Sequence, residues 1–276
     1  LVLLSCLISA PHLAAQSALP PQSGDGPPPI EDNSFLVEEA YNQERGVVQH
    51  INTFSRVTGA TGWLYVFTQE WPMGGQKHQL SYTVPVARND EGSGGETGVG
   101  DIGINYRYQI GGGENPLALA PRLTLLLPTG ASRDGLGSGG TGFQFNLPFS
   151  AVLPARFVAH SNAGATYISR ARDTFGNAAA THSYAFGQSL IWLAHPKLNL
   201  MLEGTWNSQH EVIGPSLTQR NSEFLLSPGV RGAIDFASGL QVVPGIAFPF
   251  GIGSSRGERA VFVYLSFEHP FSRAAR

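Results

Sequence analysis

The chain has a single cysteine, Cys6, in 276 residues, which excludes an internal disulfide and any CxxC metal site. Charged residues make up only 13% of it and the net charge is −3. Without a basic cluster, there is no electrostatic footprint for nucleic acid. No uninterrupted apolar run reaches about 18 residues, so no membrane-spanning helix is encoded. The GxSxG, HExxH and P-loop patterns are missing as well. The glycines of GSGGETGVGDIG lie in and after a loop with no helix to follow, so they make no phosphate cradle. What the chain does have is Gly 34 and Pro 19. It also alternates apolar with polar residues, which brings the mean hydropathy to −0.05.

The alternation is that of strands. In AVFVYLSFEHPF, residues Val261, Val263, Leu265, Phe267 and Phe271 share one face, while Phe262, Tyr264, Ser266 and Glu268 share the other. Period two ending in an aromatic close to the C-terminus is how a bacterial outer-membrane barrel closes. The same pattern recurs in Leu117, Leu119, Leu123, Leu125 and Leu127, and in Phe143, Phe145, Leu147 and Phe149. Segments of about ten residues, the length of a tilted membrane strand, can be marked at 46–57, 62–71, 75–86, 98–110, 117–128, 140–150, 154–168, 181–194, 197–208, 221–235, 239–250 and 259–271. The fold expected is an all-β, antiparallel up-and-down transmembrane barrel of about these twelve strands, with a short N-terminal helical or coil segment.

The connections point the same way. Those after even-numbered strands are compact or rich in Gly and Pro: PMGG, IGGGENP, VLP, HPK and FASG. Those after odd strands are longer, as in ARNDEGSGGETG, TGASRDGLGSGG, SRARDTFGNAAA and QHEVIGPSLTQR, with TGAT the exception. Short periplasmic turns alternating with long extracellular loops fit an outer-membrane barrel and not a soluble sandwich. Trp63, Tyr65, Trp206 and Phe224 then fall at extracellular strand ends, and Trp71, Trp192 and Phe271 at periplasmic ends, as aromatic girdles would. Pro121, Pro148, Pro228 and Pro244 oppose the pattern, because a closed barrel has no free edge to excuse a missing N–H. They are expected at bulges, at strand ends or where the register is misread.

The N-terminal region is organised differently. LVLLSCLISA followed by HLAAQS reads as a secretory signal, residues 1–17, that starts inside its apolar core. Leu3-Leu4-Ser5-Cys6 approximates a lipoprotein box, but the apolar run continues past the cysteine. Residues 18–45 hold a Pro/Gly-rich linker and a short periplasmic segment, 46–271 the barrel, and 272–276 a tail. Within EDNSFLVEEAYNQ, Asp32, Asn33 or Ser34 could cap a short helix with Phe35, Leu36, Glu39 and Ala40 on one face. The segment is either a frayed tether or a plug at the periplasmic mouth. Apolar Phe35, Leu36 and Tyr41 with acidic Glu38, Glu39 and Glu44 would suit the second role.

Strand direction puts Glu70, Arg107, Arg231 and Glu268 in the periplasmic half of the lumen and Arg122 and Glu203 near its middle. Charges of both signs confined there should pair, since isolated buried charge is expensive. They would either fill a narrow barrel or form a polar constriction that a solute must pass. His160-Ser161-Asn162 does not make an active site, because adjacent strand residues point to opposite faces. Asp90, Glu91, Glu96 and Asp101 surround one extracellular loop. Without EF-hand spacing they read as a solvated acidic loop, not a metal site. No metal or other cofactor is expected.

The stretches DNSFLVEEAYNQE, VVQHIN, FTQEWP, QKHQLSYTVP, GVGDIGINYRYQ, APRLTLLLPTG and GGTGFQFNLPFS resemble the outer-membrane β-barrel family known as "Putative MetA-pathway of phenol degradation". The resemblance runs from Asp32 to Phe271. It implies an outer-membrane location in a Gram-negative bacterium and passage of aromatic or other hydrophobic compounds. It brings no catalytic or binding motif with it. The function expected is an outer-membrane channel or transporter for small solutes, without enzymatic activity. Outer-membrane lipids, the barrel-assembly machinery and a small-molecule solute are its expected partners. An outer-membrane lipid hydrolase and a structural or adhesive barrel are the alternatives from other classes.

Overall fold

The computed structural model describes residues 33–90, 95–113, 115–236 and 240–270. The expected signal sequence, the linker as far as residue 32, Glu91, Phe271 and the tail lie outside the described residues.

Twelve antiparallel strands close into a barrel. They are β1 (Val47–Val57), β2 (Trp63–Pro72), β3 (His78–Asn89) and β4, formed by Glu96–Val99, Ile102–Tyr108 and Ile110–Gly111. Next come β5 (Leu117–Leu119 and Arg122–Leu127), β6 (Gly142–Leu153), β7 (Phe157–Arg172) and β8 (Ala178–His195). The wall is completed by β9 (Leu198–Gly214), β10 (Leu217–Gly232 and Ile234–Asp235), β11 (Gln241–Ala247 and Phe250–Gly251) and β12 (Ala260–Pro270). β1 and β12 pair in unbroken register from Val47 opposite Pro270 to Val57 opposite Ala260. Closure leaves no edge strand whose N–H and C=O groups would face lipid.

The period-two pattern sorts the side chains. Leu123 is 60% and Phe143 62% exposed on the outer face, whereas their neighbours Thr124 and Gln144 are buried on the inner one. On β12, Val261, Val263 and Leu265 point out while Phe262, Tyr264 and Ser266 point in. A one-residue register slip would turn every one of these to the wrong solvent.

Two of the expected long loops are strand instead. β7, β8, β9 and the first part of β10 run 16, 18, 17 and 16 residues, so that wall rises above β1 to β3, which run 11, 10 and 12. β7 and β8 are joined by a turn in which Asp173 Oδ1 accepts the backbone N–H groups of Phe175 at 3.0 Å and Asn177 at 2.8 Å. β9 and β10 turn through Pro215 and Ser216, the latter at φ 57. Polar residues in SRARDTFGNAAA and QHEVIGPSLTQR read as loop, yet ladder bonding carries them on as hairpin. The contrast in loop length therefore holds for the β5–β6 connection and fails above β7 and β9.

The prolines follow a simple rule. Pro148 lies inside β6, but its carbonyl accepts the N–H of Ala120 at 3.0 Å, where β5 is interrupted before Pro121. Pro228 likewise accepts from Phe248 at 3.0 Å, where β11 is interrupted before Pro249. A residue's N and O face the same neighbouring strand, so each missing N–H falls opposite a gap. Pro244 sits where β10 breaks between Arg231 and Ile234. Bulges within the prolines' own strands, one of the alternatives expected, are thus not needed at 148 and 228.

Candidate functional site

The lumen is occupied by residues 33–43 of the N-terminal segment. This stretch is a chain of bends, the coil and not the capped helix of the two forms expected, and all of it except Leu36 is buried. The reason is a competing acceptor. The N–H groups of Phe35, Leu36 and Val37 converge on Glu203 Oε1 at 3.1, 2.9 and 3.1 Å, forming a nest around one carboxylate oxygen. Phe35 and Ala40 consequently go to different walls. Phe35 joins Ile51, Ile191, Met201, Val243, Ala247, Phe262 and Tyr264, and Ala40 packs with Tyr41, Ala118 and Ala120.

The seat of Phe35 depends on two glycines. A Cβ at Gly245 would lie 2.4 Å from the Phe35 ring and one at Gly229 2.8 Å from it, so only hydrogen at these positions lets the ring lie against the wall. Its centroid is 5.2 Å from that of Tyr264 and 5.6 Å from that of Phe262, within the range of favourable aromatic pairs.

Glu38 makes the strongest contacts. Its Oε1 accepts Arg107 Nη1 at 3.0 Å, and its Oε2 accepts Arg122 Nε at 2.9 Å and Asn146 Nδ2 at 2.7 Å. Arg107 also donates to Asn42 Oδ1 at 2.7 Å and to the carbonyls of Tyr41 and Glu39 at 2.5 and 3.3 Å. On the wall side, Arg122 donates to Asn105 Oδ1 at 3.1 Å, to Gln144 Oε1 at 3.0 Å and to Thr124. The remaining backbone is met by wall side chains in turn. Asn162 accepts from Glu38 N at 2.7 Å, Ser150 from Ala40 N at 2.8 Å, Gln109 from Asn42 N at 2.7 Å and Gln79 from Gln43 N at 2.7 Å. These wall side chains satisfy backbone groups of the segment that would otherwise be stranded away from water.

Of the six charged lumen residues read from the sequence, Glu70, Arg107, Arg122, Glu203 and Arg231 are at most 1% exposed and Glu268 is half-buried. Within this set Arg107 and Glu70 stand within ion-pair distance, but the shortest charge contacts are made to the segment. Arg107 reaches Glu70 at 4.0 Å and Glu38 at 3.0 Å, while Glu203 serves backbone amides. Glu70 accepts from Gln79 Nε2 at 2.9 Å. Arg231 stands across from Asn199 and Glu268 across from Gln49. Among the segment residues, Glu39 is buried and accepts from Asn33 Nδ2 at 3.4 Å, Tyr41 sets its ring edge-on to His160, and Glu44 is exposed.

Sequence reasoning missed the asparagine, glutamine and serine rows that hold the segment. Alternation had already turned Asn105, Gln144, Asn146 and Ser150 inward, and that was the available signal. It also missed that strand pairing brings Ser150 Oγ to 2.7 Å from His160 Nδ1, beneath Ala40. Ser161 points outward to Gln188.

Two further regions bear on expectation. Of the acidic loop residues, Glu91 lies outside the described ones and Glu96 is exposed. Asp101 instead anchors the β5–β6 connection, accepting Gly130 N at 3.0 Å, Ser138 N at 2.7 Å and Ser138 Oγ at 2.5 Å. That connection folds inward and seats Leu136 among Leu64, Val66, Ala87, Leu225 and Ala260, with Leu36 against the same cluster. Among the aromatics, Trp63 stacks on Phe54 and Trp192 on Phe157, and Trp71 meets Tyr82 edge-on. Trp206 lies across from Phe224, but because β9 continues to Gly214 it sits within its strand and not at the end.

A closed barrel with an apolar outer face and a polar, charged lumen defines an outer-membrane β-barrel protein. The chain belongs to the family described as "Putative MetA-pathway of phenol degradation", whose model matches residues 31–256. Its fold is similar to the COG4313 outer membrane channel from Pseudomonas putida F1, with 13% identity and a TM-score of 0.60 over 83% of this chain and 97% of that one. It is also similar to the NanC porin, with 8% identity and a TM-score of 0.53 over 80% of this chain and 98% of that one. No curated protein sequence matches the chain.

Proposed function

We propose that the protein is an outer-membrane channel for small solutes whose path is closed by residues 33–43. The observation that carries this reading is Glu38 held between Arg107 and Arg122, in a segment that touches the wall on nearly every side. Phe35, Leu36, Glu38, Glu39 and Tyr41 act as the plug. Glu70, Arg107, Arg122, Glu203, Arg231 and Glu268 line the constriction it fills.

The segment makes no ladder with the wall and has no core of its own. Ordering it costs about 1–2 kcal/mol of backbone entropy per residue, which offsets much of what its contacts contribute. A closure assembled this way is reversible. Passage of hydrophobic or aromatic solutes is supported by the family's description and by the apolar seat of Phe35, which a withdrawn segment would vacate. Trp63, Trp206 and Phe224 mark the outer girdle and Trp71 and Trp192 the inner one, so the hairpins above Trp206 stand clear of the lipid. Insertion by the barrel-assembly machinery completes the reading.

Single-channel recording on a chain lacking residues 18–43 tests it. The truncated barrel should insert normally and conduct more than the full chain. Equal conductance would reduce the segment to a tether.

A further inference from the structure

We infer that the place taken by the Glu38 carboxylate is a binding site for a solute carboxylate, and that the plug is an internal stand-in for that solute. The inference rests on the closure reading above.

The site is built by the wall. β4 supplies Arg107, β5 Arg122 and β6 Asn146, each at 3.0 Å or less from a Glu38 oxygen. Arg122 keeps its orientation through Asn105, Thr124 and Gln144, and Gln144 donates in turn to Thr166 Oγ1 at 2.9 Å. None of these supports belongs to the segment, so the guanidinium stays aimed at the lumen when Glu38 leaves. Two guanidiniums would then face one carboxylate, that of Glu70, leaving one positive charge uncompensated in a confined space. A buried charge stripped of its partner is expensive. A second carboxylate is the group that relieves it, because its planar pair of oxygens matches guanidinium forks. An amine adds a like charge, and a neutral alcohol supplies no compensating charge.

The body of the solute follows from Phe35. Its seat over Gly229 and Gly245, against Phe262 and Tyr264, empties in the same event, on β10 to β12 across the lumen from the arginines of β4 and β5, so a solute held by the arginines turns its body toward an apolar wall. The class selected is a monocarboxylate with an apolar or aromatic body. Such a solute competes with the plug for the arginines, so its arrival favours the open state by mass action.

Benzoate, benzyl alcohol and benzylamine of matched size are the probes, applied to the full chain and to the 18–43 truncation in single-channel and liposome-swelling experiments. Benzoate should raise the open fraction of the full chain and cross the truncated barrel about tenfold faster than benzyl alcohol, as one added charge-assisted contact allows. Arg122→Gln in the truncated barrel should remove that preference. Where this variant does not insert, Asn146→Leu should weaken it in a barrel whose two arginines remain. Glu38→Gln in the full chain should lower the benzoate concentration needed for opening. Equal passage of the three probes, or stimulation by chloride and sulfate as strong as by benzoate, overturns the carboxylate site while leaving the closure intact. An unchanged conductance on truncation instead overturns the closure.

Discussion

Arg107 and Glu38 meet at 3.0 Å inside the barrel, 69 residues apart in the chain. The guanidinium is fixed in a membrane strand, and the carboxylate arrives on a segment that joins the wall only at the start of β1. A fixed wall and a removable partner are thus joined by a charge pair out of reach of solvent. Such a pair is strong while both partners are present and costly once one is gone.

Glu203→Ala should release the front of the segment. Three backbone N–H groups lose a charged acceptor, each such bond contributing about 1.5–3 kcal/mol, with the total effect capped at the free energy of docking itself. The measurement is protease cleavage between residues 33 and 43 in the folded barrel, which should become fast. Glu203→Gln keeps an acceptor oxygen and should fall between wild type and alanine. Identical protection in all three would mean that the nest does not hold the segment.

Gly245→Ala should expel Phe35, because the new Cβ would stand 2.4 Å from its ring and a β-strand wall cannot yield by that much. Barrel stability should change little, since no ladder bond is lost, while conductance should rise. Phe35→Ala combined with Gly245→Ala should restore the wild-type docking of the remaining segment. A double variant as leaky as Gly245→Ala alone would place the effect in the wall instead.

Leu123→Arg should destabilise the barrel by about 2–4 kcal/mol, the cost of an arginine facing the bilayer midplane. Asn207→Arg is the lumen comparison, as it stands directly across from Glu223 on β10 and would gain an opposite charge. Unfolding in lipid bilayers should separate the two variants clearly. Equal losses would mean that the faces are misassigned.

The Asp173 turn should loosen in acid. The Asn177 side-chain amide, followed by backbone amides of the same turn, holds this carboxyl below the usual aspartate range. A lowered pKa in the folded state means that the contribution is fully present above the unfolded value of about 3.9. It is then lost as the pH falls through the folded value. Amide exchange at Phe175 and Asn177 should therefore accelerate below that point and be unchanged at neutral pH. Asp173→Ala should exchange fast at all pH values.

The sequence by itself determined the strands and which way each side chain points. Alternation is a local property, so Leu123 and Phe143 declare themselves lipid-facing and Arg107, Arg122 and Glu203 inward without knowledge of any partner. Strand number and closure follow from counting such segments. What charge patterning could not supply was the choice of partner. Strand direction puts Glu70 and Arg107 in the same half of the lumen without pairing them, and Glu38 comes closer because its segment is free to bring the carboxylate to the fork while Glu70 stands at 4.0 Å. Of the helical and coil forms expected for residues 31–43, the described part, 33–43, takes the second for a related reason. Its first amides found Glu203, a stronger acceptor than the helix's own carbonyls, and that carboxylate is brought there only when β9 takes its place in the closed wall. The prolines at 148 and 228 likewise become tolerable only once β5 and β11 present a gap at the matching height. Hairpin height above β7 and β9 depends on ladder bonding between strands whose polar residues look like loop. Period and face are written along the chain; register, partner and occupancy of the lumen exist only after the barrel has closed.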